Sequence, residues 1–308
     1  MTTDAQIFSP NHGFLHLVKH VFTNSVAFLP RLSRGMHVSK CSYACHMSSA
    51  AGGLTVPGLD GAAVIVTGGG SGIGAATARQ LGLAGAAVVL VGRRPGLLDE
   101  VAAGIAADGG RALCVPADLA DPDSPRRITD ACLDRYGRLD GLVNNAAVIQ
   151  HRPLGEWDTG GFDEHLAVNV RAPFFLIQAA LPALRESPVR SVVNVSSSSG
   201  TLRRVGQSVY GMTKSALDYL TQTLAGELAP LGVRVNGISP GPIDTPIHAT
   251  WADDLAEAYR WLGSQVPLGR IGAPEEVALW ITLLLSPLAS FMTGAVIPLD
   301  GGQVIDRE

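Results

Sequence analysis

The chain has 308 residues and a mass of 32.0 kDa, with 46% hydrophobic and only 16% charged residues. A composition this apolar can bury a large core, which excludes wholesale disorder. The net charge of −4 excludes a basic surface for nucleic acid, and four cysteines are too few for a disulfide framework, which favours a reducing, cytoplasmic location.

The first 57 residues differ from the rest of the chain, and we expect them to form an extension outside the folded domain. The segment has weak periodicity, and residues 1–46 are basic, poor in acids and rich in histidine. It lacks the apolar core of a secretory signal and the arginine content of a transit peptide. His12, His16 and His20 share the spacing of one helix face, but no carboxylate accompanies them, so we predict no metal site. We expect residues 1–46 to be disordered or peripheral.

From residue 58 onward, short apolar runs alternate with helical patterns. Strands are predicted at 62–67, 86–91, 112–115, 139–143, 191–195, 233–238 and 295–299. Helices are predicted from the glycine-rich turn to about residue 84, and at 97–107, 123–136, 162–186, 208–229 and 274–286. Strands that are apolar on both faces and alternate with helices indicate a parallel sheet covered on both sides. The predicted fold is therefore α/β, a Rossmann-type doubly wound sheet in a single domain over residues 58–308.

One uncharged stretch, residues 277–299, is long enough to span a bilayer. Pro287, Gly294 and Pro298 interrupt it and divide it into a helix and a separate strand. We therefore predict a buried helix and the last strand of the sheet, with no membrane contact.

The first strand runs into a glycine-rich turn, Gly68 to Gly74, that opens an alanine-rich helix. Backbone N–H groups at such a turn bind a pyrophosphate, aided by the helix dipole, and glycine permits the close approach. In a chain with 36 glycines the cluster by itself is a weak signal. Its position between an apolar strand and a helix favours dinucleotide binding.

Tyr210 and Lys214 stand four residues apart on a predicted helix and therefore share one face. A cation beside the phenol favours the phenolate, so we expect Lys214 to lower the Tyr210 pKa toward neutrality. Upstream, a strand ends in the serine run 196–199, where a hydroxyl could bond a substrate oxygen. Each feature alone is also typical of a solvated helix face or an ordinary turn.

Taken together, these motifs resemble the classical short-chain dehydrogenase/reductase family over residues 58–303. In chain order they are Thr67-Gly68-Gly69-Gly70-Ser71-Gly72-Ile73-Gly74, Asp118-Leu119, Asn144-Asn145-Ala146-Ala147, Asn169, Ser197, Tyr210, Lys214, Pro240-Gly241-Pro242-Ile243-Asp244-Thr245 and Asp300-Gly301-Gly302. The ordered set is highly specific. One departure is Ala147, where the family usually has glycine, a mild change that narrows the loop near the cofactor.

The resemblance implies hydride transfer between a nicotinamide and a carbonyl carbon, with Tyr210 as the general acid–base. Lys214 would lower the pKa of Tyr210, bind the nicotinamide ribose and join a proton relay. Ser197 would hydrogen bond the substrate oxygen. Asn169 would hold a water in the relay that continues from Lys214.

The resemblance also implies which residues bind the cofactor. Asp118 would bond the adenine ring, Asn145 would contact the adenosine-side ribose region, and Thr245 would contact the carboxamide. The remaining contacts are expected from Gly68, Gly70, Ser71, Gly72, Ile73, Gly74, Leu119, Ala146, Pro240, Gly241 and Ile243.

The end of the second strand bears on the choice between NAD(H) and NADP(H). In this fold an acidic residue there bonds the ribose hydroxyls of NAD and repels a 2′-phosphate. Here Gly92 stands in that place, and Arg93 follows as a cation that can pair with the phosphate. Ser71 argues the other way, because many NADP-preferring relatives have Arg or Lys at that position of the turn. We predict that NADP(H) is preferred and that NAD(H) is also possible.

Substrate identity is expected to lie in three variable segments, which are residues 148–152, residues 202–205 and a lid at about 245–266. Arg203 and Arg204 could clamp an anionic substrate or could be solvated loop charges. The lid contains three aromatic residues, Trp251, Tyr259 and Trp261.

The function predicted from these features is an NADP(H)-dependent oxidoreductase acting on a ketone or secondary alcohol. The resemblance also implies a homotetramer or homodimer built through the helices at 162–186 and 208–229 and the C-terminal region. One alternative is a dinucleotide sensor without turnover, which would not need all four catalytic residues. Another is a dehydratase or epimerase on the same fold, which the short C-terminal substrate region disfavours.

Overall fold

A computed structural model describes residues 56–250, 252 and 254–305, and the structural statements below refer to these residues. Apart from its last two residues, the expected N-terminal extension lies outside the described part of the chain, as does Trp251. The extension's predicted disorder therefore stays a prediction.

The described chain forms one parallel sheet with helices on both faces, as the sequence predicts. The strands are β1 (Ala63–Thr67), β2 (Ala87–Gly92), β3 (Arg111–Pro116), β4 (Gly141–Asn144), β5 (Ser191–Val195), β6 (Arg234–Pro240) and β7 (Val296–Leu299). The α-helices are α1 (Gly72–Leu83), α2 (Pro95–Ala107), α3 (Ser124–Tyr136), α4 (Thr159–Leu166), α5 (Ala172–Glu186), α6 (Ser208–Leu228), α7 (Leu255–Ser264) and α8 (Pro274–Leu285).

The strand order is β3-β2-β1-β4-β5-β6-β7, and every pairing is parallel. Chain direction across the sheet reverses between β1 and β4, so the loops that follow these two strands leave toward opposite faces. A crevice opens at such a point, outside the carboxyl ends of the strands. The predicted Rossmann-type fold is confirmed.

Alternate residues of each strand point to opposite faces of the sheet and so form two cores. Val64 and Val66 of β1 pack in one core with helices α1, α2 and α8. Ala63 and Ile65 of the same strand pack in the other core with α3, α5 and α6. Because both faces are covered, the strands carry the continuous apolar runs by which the sequence marks them.

A π-helical turn at Ala167–Arg171 joins α4 and α5 into one helix of 28 residues, Thr159–Glu186. By length and composition alone this helix could cross a membrane, yet 44% of its apolar window is buried inside the protein. Leu176 and Leu184 are fully buried in the core beneath the sheet. The apolar character of this helix is therefore explained by core packing. The stretch 277–299 divides into α8 and β7, as predicted.

A buried carboxylate fixes the start of β1 against β4. Asp140 accepts hydrogen bonds from the Ala63 backbone N–H at 2.8 Å and from the Ser187 hydroxyl at 2.5 Å. Arg138 donates to both of its oxygens, at 2.6 and 2.8 Å. Burial by itself raises the pKa of Asp140, but these hydrogen bonds outweigh burial and hold the pKa below its ordinary value. The two central strands are thus joined by a charged group as well as by the ladder.

We expect Asp140→Ala to lower the free energy of unfolding by about 3 kcal/mol, because it leaves four donor atoms, from three residues, without their acceptor. Urea unfolding midpoints measure this, with Asp130→Ala as the control. Asp130 forms an exposed i,i+4 pair with Arg126, so its loss should cost under ~0.5 kcal/mol.

The effect has a defined pH dependence. Because the folded-state pKa of Asp140 is the lower one, its contribution is complete above the ordinary Asp pKa of about 3.9 and is lost as the pH falls below it. Equal midpoints for the two variants at pH 7 would contradict this account of Asp140.

Candidate active site

The loops at the carboxyl ends of the strands surround one cleft of about 900 Å³. Most of the residues singled out from the sequence line it, although they come from distant parts of the chain. The lining includes Gly68, Gly70, Ser71, Ile73, Arg93, Asp118, Leu119, Asn145, Ala146, Ser197, Tyr210, Lys214, Pro240, Gly241, Ile243 and Thr245. Gly72, Gly74 and Asn169 are not among the residues that line the cleft.

The glycine turn packs too tightly for side chains at two of its positions. A Cβ on Gly74 would lie 2.1 Å from the Gly68 carbonyl oxygen, and Gly68 has a φ of +67° that disfavours other residues. Ser71 is the N-cap of α1, but its side chain makes no capping hydrogen bond, so the first N–H groups of the helix stay available. This arrangement fits a phosphate at the helix N-terminus.

Thr67, the last residue of β1, ties the glycine turn to the loop after β4. Its hydroxyl accepts from the backbone N–H groups of Asn145 at 2.9 Å and Ala146 at 3.0 Å, and donates to the Val143 carbonyl at 3.2 Å. The sequence analysis gave Thr67 no role of its own. The only feature of the sequence that marks Thr67 is its position directly before the glycine-rich turn.

The side-chain amide of Asn145 completes this connection. It donates to the Thr67 carbonyl at 2.8 Å and approaches the Gly68 carbonyl at 3.5 Å. Asn145 thus braces the glycine turn from inside the crevice. The contact of Asn145 with the cofactor ribose region stays a prediction. Its backbone N–H and its side-chain NH₂ group already donate to Thr67, so such a contact would have to use other atoms of the residue.

Tyr210, Lys214 and Ser197 meet at the floor of the cleft. Tyr210 and Lys214 lie in the first turns of α6 and are only 7% and 2% exposed. The Lys214 Nζ donates to the Val195 carbonyl at the end of β5, at 2.8 Å, and lies 5.7 Å from the centre of the Tyr210 ring. Ser197 follows that same strand and hydrogen bonds to the phenol. The sequence spacing therefore brings these groups together as expected.

The expected lowering of the Tyr210 pKa is wrong for this structure. Burial raises the pKa of Tyr210 to about 12, and the hydrogen bond from Ser197 only partly opposes it. Burial also lowers the pKa of Lys214 to about 8. The physical reason is that desolvation disfavours the charged form of both groups, which spacing along a helix does not reveal. At neutral pH Tyr210 therefore holds its proton.

Asn169 lies in the π-helical turn, and both of its amide donors are engaged by protein. They bond to the Val148 carbonyl at 2.9 Å and the Thr213 hydroxyl at 3.0 Å, while its oxygen accepts from the Val148 N–H at 2.9 Å. Thr213 in turn donates to the Tyr210 carbonyl at 2.7 Å. Asn169 thereby links the β4 loop to the helix that carries the phenol.

Asp218 is a charged group near the site that the sequence analysis missed. It stands one turn beyond Lys214 on α6, in the same i,i+4 column as the phenol and the ammonium. Burial raises the pKa of Asp218, while the Ser196 hydroxyl and Lys214 lower it. The carboxylate in turn raises the pKa of Lys214 against the effect of burial. The spacing of four residues from Tyr210 to Lys214 to Asp218 is the feature of the sequence that could have identified it.

At the edge of the cleft nearest β2 and β3, Arg93 and Arg94 are exposed and line the opening with Asp118. Arg93 lies 3.6 Å from the Glu164 carboxylate in an exposed pair, which contributes little to stability. Asp118 accepts from the Ala120 N–H at 2.9 Å and so shapes its own loop.

On the opposite side, the loop after β6 and helix α7 close the cleft. Ile243 and Thr245 are buried there, and the Tyr259 hydroxyl of α7 donates to the Thr245 carbonyl at 3.3 Å. Trp261 of the same helix lines the cleft and is 53% exposed. The sequence predicts a lid here but not the helix that the structure shows.

Three comparisons relate this chain to known proteins. Residues 68–303 match a family model described as enoyl-(acyl carrier protein) reductase. The chain is 36% identical to 2,5-dichloro-2,5-cyclohexadiene-1,4-diol dehydrogenase LinX of Sphingobium indicum over 79% of this chain and 96% of that protein. It is 37% identical to cis-4-hydroxycyclohexanecarboxylate dehydrogenase of Sinomonas cyclohexanicum over 77% and 94%. A crystal structure of a short-chain type dehydrogenase/reductase from Mycobacterium marinum superposes with a TM-score of 0.74 at 33% identity, covering 80% and 96%.

The coupling between Asp218 and Lys214 can be measured directly, because the chain contains only three lysines. Selective ¹⁵N or ¹³C labelling of lysine should show one side chain that titrates near 8. Asp218→Asn removes a nearby negative charge, so we expect that midpoint to move to lower pH by ~0.5 or more.

Glu227→Gln provides the matched control, because Glu227 is an exposed carboxylate on the same helix. It should leave the midpoint in place. If Asp218→Asn leaves the midpoint unchanged or raises it, Asp218 does not support the charge of Lys214.

Proposed function

We propose that this protein prefers NADP(H) and uses Tyr210 as its general acid–base. The chain belongs to the short-chain dehydrogenase/reductase family. Members of this family are oxidoreductases that act on alcohols and ketones with a nicotinamide cofactor. The observation that carries the proposal is the meeting of Tyr210, Ser197 and Lys214 in the same cleft as the glycine turn.

In the direction of ketone reduction, Tyr210 gives its phenolic proton to the substrate oxygen. Its raised pKa of about 12 keeps that proton in place across the neutral range. Ser197 donates to the same oxygen and orients it. Lys214 holds a positive charge beside the phenol and stabilises the phenolate that remains, while Asn169 fixes the helix that carries both groups. Both side-chain N–H groups of Asn169 already donate to protein atoms. A water of the proton relay would therefore bind the backbone of Asn169 in the π turn.

The residues that would hold the cofactor are those that line the cleft from the glycine turn to Thr245. When bound, the cofactor supplies or accepts the hydride. The N-terminus of α1 favours the negative charge of its pyrophosphate. The Asp118–Leu119 loop would hold the adenine, and Thr245 would contact the carboxamide. Lys214 would also bond the nicotinamide ribose.

The preference for NADP(H) rests on Gly92 and Arg93. No carboxylate stands at Gly92 to repel a 2′-phosphate, and Arg93 lines the cleft on an exposed loop, where it makes a weak pair with Glu164. A phosphate meets a guanidinium with two charge-assisted hydrogen bonds, which outcompetes an exposed carboxylate at 3.6 Å. Ser71 supplies no second cation, so NAD(H) remains a usable cofactor.

Cyclic ketones are the first substrates to test. Two relatives are named for substrates that carry hydroxyl groups on six-membered rings. We call the part of the cleft around Ser197 and Tyr210 its substrate end. In this chain Val148, Ile149 and Leu262 add apolar side chains to the cleft lining. Such side chains suit a compact hydrocarbon body next to the polar Ser197–Tyr210 pair.

The enzyme assembles as a homotetramer or homodimer in the cytoplasm. Phe174 and Phe175 on α5 and Met212 on α6 are 40%, 43% and 44% exposed, on the helices from which the family resemblance implies subunit contacts. Near the C-terminus, Phe291 is fully exposed. Large apolar side chains on these surfaces are suited to burial against a second subunit.

Replacing Tyr210 by Phe tests the acid–base role. The ring stays but the transferable proton is lost, so nucleotide binding should persist while turnover of a ketone falls by at least ~10²-fold. Lys214→Arg should also impair turnover, because a broad guanidinium replaces a compact ammonium at a buried position.

Tyr219→Phe is the matched control, since Tyr219 lies on the same helix and is 73% exposed. It should turn over like the wild type. Wild-type rates in the Tyr210→Phe enzyme would show that another group moves the proton.

Cofactor preference is tested by comparing kcat/KM for NADPH and NADH. We expect the wild type to favour NADPH by ~10-fold or more, and the double change Gly92→Asp, Arg93→Leu to reverse the order. A Cβ on Gly92 would meet only the far end of the Leu98 side chain, at 3.3 Å, so the new residue can be accommodated.

Arg94→Leu is the control for a general loss of positive charge at this edge and should keep the preference. A higher value with NADH in the wild type would overturn the role given to Arg93.

A further inference from the structure

The loop after the serine run carries two arginines that the structure separates. Arg203 is exposed to solvent, whereas Arg204 is half-buried and lines the cleft together with Ser197 and Tyr210. Backbone hydrogen bonds hold the loop, from Gln207 N–H to the Arg204 carbonyl at 3.2 Å and from Arg152 N–H to the Gly206 carbonyl at 2.9 Å. The fold therefore directs one of the two neighbouring guanidinium groups to the substrate end.

The Arg204 guanidinium has no ion pair and no hydrogen bond with any residue that the structure describes. Burial without a partner lowers the pKa of Arg204, which reflects the free-energy cost of partly desolvating the charge. Arg234, which is also half-buried, has partners for its guanidinium. It donates to the carbonyls of Leu284, Leu285 and Ser286.

Two histidines share the cleft with Arg204, and burial alone accounts for the lowered pKa of Arg204. His151 and His248 line the same end of the cleft, and partial burial together with the fields of His248 and Arg204 lowers the pKa of His151. Among the described residues that line the cleft, the only carboxylate is Asp118, in the loop that follows β3 at the far edge. Asp244, which does not line the cleft, acts on the neighbouring His248 and raises its pKa against the effect of burial. An anion beside Arg204 would therefore meet a cation, with the carboxylate of Asp244 outside the cleft lining.

We propose that Arg204 binds a carboxylate of the substrate, so that this enzyme acts on oxo acids and hydroxy acids rather than on neutral ketones and alcohols. A guanidinium and a carboxylate match in geometry and form two parallel charge-assisted hydrogen bonds. One unpartnered cation suits the single charge of a carboxylate, and the apolar side chains of the cleft lining suit the carbon skeleton between the acid and the ketone. The inference rests on the proposed function and adds the substrate class to it.

The experiment compares acids with their own methyl esters, which keep the ketone and the skeleton but lose the charge. The two pairs are 4-oxocyclohexanecarboxylate and 4-oxopentanoate, each with its ester, and the measured quantity is the acid-to-ester ratio of kcat/KM. We expect a ratio of ~10 to 100 in the wild type and a ratio near 1 in Arg204→Met. Arg204→Lys should recover part of the ratio, because it keeps the charge but loses the fork.

Arg203→Met is the matched control, one residue away and exposed, and it should keep the wild-type ratio. Because the ratio compares two substrates on one protein, a general loss of folded enzyme cannot imitate the effect. A wild-type ratio near 1, or a ratio that Arg204→Met leaves unaltered, would overturn the inference while leaving the proposed function in place.

A binding measurement separates the two proposals if turnover is absent. Titration calorimetry with cyclohexanecarboxylate and the neutral cyclohexanecarboxamide, on NADPH-saturated protein, should show tighter binding of the acid, lost in Arg204→Met but kept in Arg203→Met. Acid binding of this kind without reduction of any ketone would contradict the proposed function alone. Equal binding of acid and amide would overturn the role of Arg204.

Discussion

The structure depends on one constraint, which is that the loops after β1 and β4 must separate at the centre of the sheet without losing their positions. The Thr67 hydroxyl meets this constraint by accepting hydrogen bonds from two backbone N–H groups of the loop after β4. The Asn145 side chain in turn donates a hydrogen bond to the Thr67 carbonyl. At the other end of the same strands, Asp140 joins β1 to β4 through the Ala63 N–H. The crevice is therefore held open by polar contacts at its base, and Gly68 and Gly74 can pack as closely as their backbones allow.

Helix α6 converts that scaffold into a reactive site. Tyr210, Lys214 and Asp218 follow one another at the helical repeat, so fixing the helix fixes all three groups together. Asn169, in the π turn of the neighbouring helix, reaches α6 through Thr213. Burial then sets the chemistry, because it keeps the phenol protonated and brings the ammonium close to its titration point. The same low-dielectric surroundings strengthen the electrostatic interaction between Lys214 and Asp218.

Much of the fold could be predicted because the strands of a sheet covered on both faces have continuous apolar sequences. The β5 prediction matches the observed bounds, while β4 begins at Gly141 rather than at residue 139. The sequence did not predict α7, whose helical pattern is short. It also gave no sign of the π turn at Ala167–Arg171.

The sequence by itself determined the family, the glycine turn and the spacing that puts Tyr210 and Lys214 on one helical face, because these features are local. Only the tertiary structure decided what depends on burial. It showed that the pKa of Tyr210 is raised rather than lowered, and it separated Arg203 from Arg204, which adjacent positions in the chain make indistinguishable. Burial is set by which elements pack around a side chain, and those elements come from distant parts of the chain.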